Sequence, residues 1–174
     1  MSQAVLISIR PEWCEKIISG EKTIEVRKTR PKMDTPFKCY IYRSVQGGVI
    51  GEFVCDHIFE RIVRVGGSCE PPKYCICDWN MDCTPLDTLL ADACLTKDEL
   101  EKYLDGGVGY GWHISNLKIY DTPKELIEFH TWKKCKSCNK SGYESTACIY
   151  DENCIIPAAI TKAPQSWCYV EELP

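Results

Sequence analysis

Apolar residues in this chain come in short runs closed by glycine, proline or polar clusters, and helical stripes are few and brief. That pattern restricts the fold to several strands with small helical attachments, because a strand needs alternation over only a few residues while a helix needs a sustained apolar face. Residues 4–9 alternate loosely and are rich in branched side chains, which reads as a strand. Pro11 suits a helix first turn, Cys14, Ile17 and Ile18 form an i, i+3, i+4 stripe, and Gly20 stands where a helix is capped. A second strand covers about 22–28, with Ile24 and Val26 on one face and Thr23, Glu25 and Arg27 on the other.

Pro31 and Pro36 bracket a loop before a strand at 39–42, and Gly47-Gly48 is a turn ahead of one long or bent strand over 49–65. Residues 66–84 are rich in Gly, Pro and Cys and read as a loop. Leu86, Leu89, Leu90 and Ala93 fit a helix. Thr96 and Glu99 have capping-box spacing for the next one, with Leu95 and Leu100 placed as a hydrophobic staple. Glycines from 106 onward end it. A strand over 110–120 follows, with a bulge or turn at Asn116, and 122–125 opens a short helix. A last strand covers 165–170. The expected class is α+β: a small β-barrel with short flanking helices, one domain over 1–174 with insertions at about 66–95 and 131–162.

Net charge is −4, which argues against a strongly basic nucleic-acid binder, but the charge is uneven. Residues 1–45 hold nine Lys/Arg against five Asp/Glu, and acidity concentrates in 78–105. A locally basic cleft on an acidic protein suits a small phosphate-bearing or single-stranded ligand better than a long duplex. No apolar run is long enough to cross a bilayer, and the N-terminal residues lack the basic and cleavage features of a signal peptide, so a cytoplasmic location is expected.

Gly20-Glu21-Lys22-Thr23-Ile24-Glu25-Val26-Arg27 groups a lysine, a carboxylate and an arginine at a helix-to-strand turn. Arg27 and Lys22 have the chemistry to hold a phosphate, one as a planar fork and the other as a point charge. Glu25 has the chemistry to meet a base edge or a ribose hydroxyl, or to act as a general base. By spacing alone the commoner outcome is an exposed Glu–Arg surface pair, worth about 0–1 kcal/mol.

The pattern Gly20-x-Lys22-x-x-Glu25-x-Arg27 resembles the GxKxxExR signature of the ASCH family, within the PUA-like superfamily. Further blocks resemble bacterial and phage ASCH proteins in the same order: Leu6 to Pro11, Gly47 to Phe53, Gly109 to Ile114 and Ala163 to Tyr169. The resemblance implies a β-barrel whose cleft is lined by the motif, and a role in binding RNA or a nucleotide. Some relatives are amidohydrolases of N4-acylated cytidine, and one is a ribonuclease. Lys22 carries over from the amidohydrolase pattern. That pattern has threonine where this chain has Glu25, and its second glutamate has no aligned counterpart here, so the resemblance implies binding before amidase chemistry. In an enzyme of this kind Lys22 and Glu25 would be the catalytic pair.

Tyr42, Tyr110, Trp112 and Trp167 are candidates for stacking on a base, although aromatics within strands more often pack in the core. Ser8, Gln165 and Ser166 are polar residues in apolar strands, with cleft-facing and barrel-end roles both open.

Thirteen cysteines are many for a chain of 174 residues. Cys135, Cys138, Cys148 and Cys154 form a CxxC knuckle and a later pair, the pattern of a structural zinc site, with His130 as a substitute ligand. Lys133, Lys134, Lys136 and Lys140 would offset thiolate charge or touch RNA. An iron–sulfur cluster and unpaired thiols are the other readings. The same loop could instead dock a protein partner. Cys69, Cys75, Cys77 and Cys83 lack a knuckle and read first as free thiols. Cys14, Cys39, Cys55, Cys94 and Cys168 read as small buried hydrophobes, and His57 and His113 as structural.

Overall fold

The structure is a computed structural model, which describes residues 2–65, 73–77, 83–84, 86–134 and 155–173. Elements run in the order β1 (Gln3–Ile9), α1 (Pro11–Ile18), β2 (Ile24–Arg27), β3 (Phe37–Arg43), β4 (Val49–Cys55), β5 (Ile58–Val65), β6 (Lys73–Cys77) and β7 (Cys83–Thr84). Then come α2 (Leu86–Asp92), α3 (Lys97–Leu104), β8 (Gly109–His113), β9 (Ser115–Lys124), a 3-10 turn (Leu126–Glu128), β10 (His130–Lys134), β11 (Ile155–Ala159) and β12 (Trp167–Glu171). One five-stranded sheet has the order β12-β1-β3-β4-β9, a second the order β2-β8-β5-β6-β7, and β10 and β11 form a separate ribbon. This is the expected α+β class. Among the described residues the strand pairings form two sheets and do not link them into one closed ring.

The alternation of β1 explains how one strand serves two cores. Val5, Ile7 and Ile9 point to a cluster with Cys39, Ile41, Phe53 and Trp112 between the sheets. Ala4 and Leu6 point the other way, to Tyr40, Val49, Phe129 and Val170. β1 lies parallel to β3, with Ile7 opposite Ile41, and antiparallel to β12, with Leu6 opposite Cys168. A third cluster joins Ile24, Val26 and Ile62 of the second sheet to Leu89 and Ala93 of the α2 region and Leu100 and Leu104 of α3.

Several elements differ from expectation. The apolar run over 49–65 is two strands, one in each sheet, because the chain turns a corner at Asp56-His57. The run over 110–120 is likewise divided at Ile114 between β8 and β9, with Asn116 at φ 48°. Residues 66–84 contain β6 and β7, which extend the second sheet from β5. No helix opens at Thr122: pairing of Val49 with Lys124 keeps β9 extended, and the capping box falls instead on Glu125 and Glu128. The Thr96–Glu99 capping box is present, and Asp105 caps α3 in the left-handed conformation. Gly51 lets β9 pass close by, since a Cβ there would lie 2.5 Å from the Lys118 carbonyl oxygen. Among the described residues, no helix is long and apolar enough to cross a membrane.

Cys14, Cys39 and Cys55 are buried, and burial pushes the Cys14 thiol up to about 11 and that of Cys55 up to about 12. Cys94 and Cys168 are only half-buried. His57 stacks edge-on against Phe59, and His113 Nδ1 lies 2.7 Å from Asp56 Oδ1.

Candidate functional site

The turn between α1 and β2 is held from both sides. Gly20 takes φ 78° and donates its N–H to Ile17, Lys22 N–H donates to the Lys16 carbonyl, and Thr23 N–H donates to the Asp92 carbonyl at the end of α2. β2 is buried along its whole length, so Glu25 and Arg27 do not form the exposed pair that spacing alone favours. The helices α2 and α3 cover the opposite face of the strand, that of Ile24 and Val26.

Lys22, Glu25 and Arg27 come together as one buried charge cluster, each no more than 8% exposed. Glu25 is the shared counter-ion: Oε1 lies 3.0 Å from an Arg27 terminal nitrogen and Oε2 lies 3.4 Å from Lys22 Nζ. Lys22 Nζ also donates to the Ala93 carbonyl at 2.7 Å and lies 5.1 Å from the centre of the Trp13 ring. Arg27 donates to the Ser8 carbonyl at 2.6 Å and to Ser166 Oγ at 3.4 Å, while its Nε has no acceptor among the described residues. Burial lowers the Lys22 pKa, and the Glu25 carboxylate works against that shift. Two cations against one anion leave the cluster with a net positive charge.

This cluster forms part of the lining of an open cavity of about 900 Å³. Ser8, Tyr42, Gln165 and Ser166 are among the residues that line it. The Ser8 hydroxyl is already used, donating to the Pro164 carbonyl at 2.6 Å, so it braces the wall. Trp112 is a correction: it is fully buried, packed edge-on against Phe37 and Trp167, and contributes to the core. Tyr110 packs against that core and is not part of the lining, and Trp167 packs between Trp112 and Tyr169. The aromatic walls that sequence reading missed are Trp13 of α1 and Tyr103 of α3, with Leu95 and Lys102 beside them. The one local signal was the spacing of Trp13 from Lys16 and Ile17 on α1. Overall the lining carries four cationic side chains (Arg10, Lys22, Arg27 and Lys102) against two carboxylates (Glu25 and Glu99).

A family model for the ASCH domain matches residues 7–66, the stretch that supplies Lys22, Glu25 and Arg27. The chain carries an ASCH domain. Its fold is similar to that of ASCH from Zymomonas mobilis, with a TM-score of 0.57 and 17% identity over 97% of this chain and 88% of that one. A Tyr-to-Phe variant of the Zymomonas mobilis protein gives a TM-score of 0.56 and 16% identity over 97% of this chain and 91% of that one. At this identity the likeness is one of fold. No curated protein sequence matches the chain significantly. The ASCH domain is a PUA-like fold associated with RNA binding.

Within 66–95, β6 extends the second sheet and Ala93 supplies the carbonyl that holds Lys22. Cys135, Cys138, Cys148 and Cys154 lie outside the described residues, as do Cys69 and the side chains of Cys75, Cys77 and Cys83. Among the described residues no group of His, Cys, Asp and Glu is arranged to hold a metal. His130 pairs with Ala159 at the opposite end of the ribbon from Lys134, about 13 Å of strand away.

Proposed function

We propose that the cavity binds an RNA nucleotide or a modified nucleotide, its anionic or carbonyl oxygens drawn to the Lys22–Glu25–Arg27 floor and its base set among Trp13, Tyr42 and Tyr103. The observation that carries this reading is a buried cluster with surplus positive charge beneath an open, aromatic-walled cavity. Desolvated cations act strongly on an anion that enters, and aromatic faces accept any base. Both Glu25 oxygens are engaged, so the carboxylate holds the two cations in place.

A second reading is hydrolysis of an N4-acylated cytidine or of RNA on the same floor. It is favoured by one observation: burial makes the Lys22 amine less basic than usual, which raises its neutral, nucleophilic fraction. One experiment separates the two. Calorimetric titration with nucleotides, N4-acetylcytidine and short RNAs, with chromatography of the products, is run on the wild type and on Lys22→Met. Binding without products, lost in the variant, supports recognition. Products that disappear in the variant make the protein an enzyme. No binding by the wild type sinks both.

We also propose a structural zinc ion held by Cys135, Cys138, Cys148 and Cys154, within a single domain. The support is register: Lys134 pairs with Ile155 at the end of the ribbon, and these residues directly precede Cys135 and follow Cys154 in the chain. The two outer cysteines are thus tethered one peptide step from neighbouring strand ends, a starting point from which four thiolates can meet one tetrahedral ion. Elemental analysis of purified protein checks it, with Cys135→Ser/Cys138→Ser as the control. Metal-free protein with unaltered thermal stability rules it out. A protein partner docking on this loop is tested in the same pair of proteins.

A further inference from the structure

The sequence that leaves the cavity floor is basic. Arg27 is followed by Lys28, Thr29, Arg30, Pro31 and Lys32, so four cationic residues fall within six positions. Lys28 and Lys32 are exposed, and neither enters an ion pair among the described residues. Arg30 is half-buried, with its Nε donating to the Pro31 carbonyl at 3.3 Å.

This run is fixed to β12. Trp167 Nε1 donates to Thr29 Oγ1 at 3.0 Å, and Lys32 N–H donates to the Tyr169 hydroxyl at 2.7 Å. It also begins at the cavity: Lys28 Nζ lies 5.3 Å from the centre of the Tyr103 ring, and Tyr103 lines the cavity wall. Cations held on a pinned backbone lead from the mouth of the cavity across the surface, with exposed Asp34 the first acidic side chain beyond them in the chain.

We propose that the ligand is a single-stranded RNA: one nucleotide enters the cavity while the adjoining phosphates run over Lys28 and Lys32. The inference rests on the nucleotide-binding reading of the cavity and extends it from a nucleotide to a polynucleotide. A lone nucleoside gains nothing from cations outside the cavity. A continuous strand gains at each phosphate that displaces a counter-ion. A duplex is disfavoured because its bases are not free to enter a cavity.

The test is Lys28→Gln/Lys32→Gln, two exposed positions away from the core. Affinity for a nucleoside monophosphate and for a short mixed-sequence single-stranded RNA is measured across a salt series. Two lost phosphate contacts lower the slope of log affinity against log salt by about 1.4 for a single strand. The same slope change amounts to an affinity loss of about 25-fold at 0.1 M salt, vanishing near 1 M. Monophosphate affinity should stay within twofold.

A wild-type slope and RNA affinity retained in the double variant, while Lys22→Met loses both ligands, would overturn the track and leave the cavity reading standing. Failure of the wild type to bind either ligand would remove both. Equal losses for polyglutamate and for RNA would show a general anion surface and overturn the strand path.

Discussion

Replacing Glu25 with Gln tests whether the floor is a true buried charge cluster. In the structure one carboxylate is the shared counter-ion of two cations, and all three groups are almost wholly withdrawn from water. Glu25→Gln keeps the shape but leaves Lys22 and Arg27 facing each other with no counter-ion. Removing the shared partner of buried charges costs about 3–5 kcal/mol. In a domain of this size that lowers the melting temperature by roughly 10–15 °C.

Lys22→Met is the contrast. It removes one desolvated cation and leaves the Glu25–Arg27 pair at 3.0 Å intact. The Ala93 carbonyl loses its 2.7 Å donor, a loss of about 1 kcal/mol, which relief of the ammonium's desolvation offsets. Its stability should therefore lie within about 1 kcal/mol of wild type. Urea unfolding followed by circular dichroism, with slopes compared to confirm like denatured states, measures both. A Glu25→Gln loss under about 1 kcal/mol, or equal losses in the two variants, would refute the reasoning.

Two other outcomes follow from the core. Cys14 and Cys55 hold their protons in the fold up to about 11 and 12, whereas an unperturbed thiol ionises near 9.0, so their contribution to stability is complete below pH 9.0 and is lost as pH rises toward those values. Melting temperature measured from pH 8 to about 11 should fall, and less steeply in Cys55→Ala; parallel curves would count against it. Gly51→Ala would drive a methyl group to 2.5 Å from the Lys118 carbonyl oxygen and force β4 from β9, costing about 1–3 kcal/mol by chemical denaturation, with a neutral result contradicting the close approach.

Local rules read well where one element explains its own residues. Pro11 and the Cys14–Ile17 stripe locate α1, and Thr96 with Glu99 locates the start of α3, because caps and stripes are short-range physics. The same rules fail where a strand ends for tertiary reasons. The apolar character of 49–65 continues across the Asp56-His57 corner, so nothing in the pattern reveals that β4 and β5 serve different sheets.

For the site, the Lys22–Glu25–Arg27 group is legible, but its burial is not. That burial comes from partners far apart in the chain: Ser8 of β1 and Ser166 meet Arg27, while the Ala93 carbonyl and Trp13 of α1 meet Lys22. Trp13 and Tyr103 were missed for the same reason, since they sit on different helices and become opposite parts of one lining only when the fold is assembled. Trp112 drew attention as an aromatic in a motif block, and its place between the sheets is a matter of which face of β8 turns inward.

The β10–β11 ribbon has a consequence for how this chain can be altered. Its ladder brings residues 134 and 155 opposite each other, so the ends of whatever lies between are already joined by backbone hydrogen bonds. Lengthening such a closed segment is entropically mild, about 0.6 kcal/mol per doubling. The ribbon is therefore a splice point: a reporter, an affinity handle or a segment from another protein could be grafted there without remodelling either sheet.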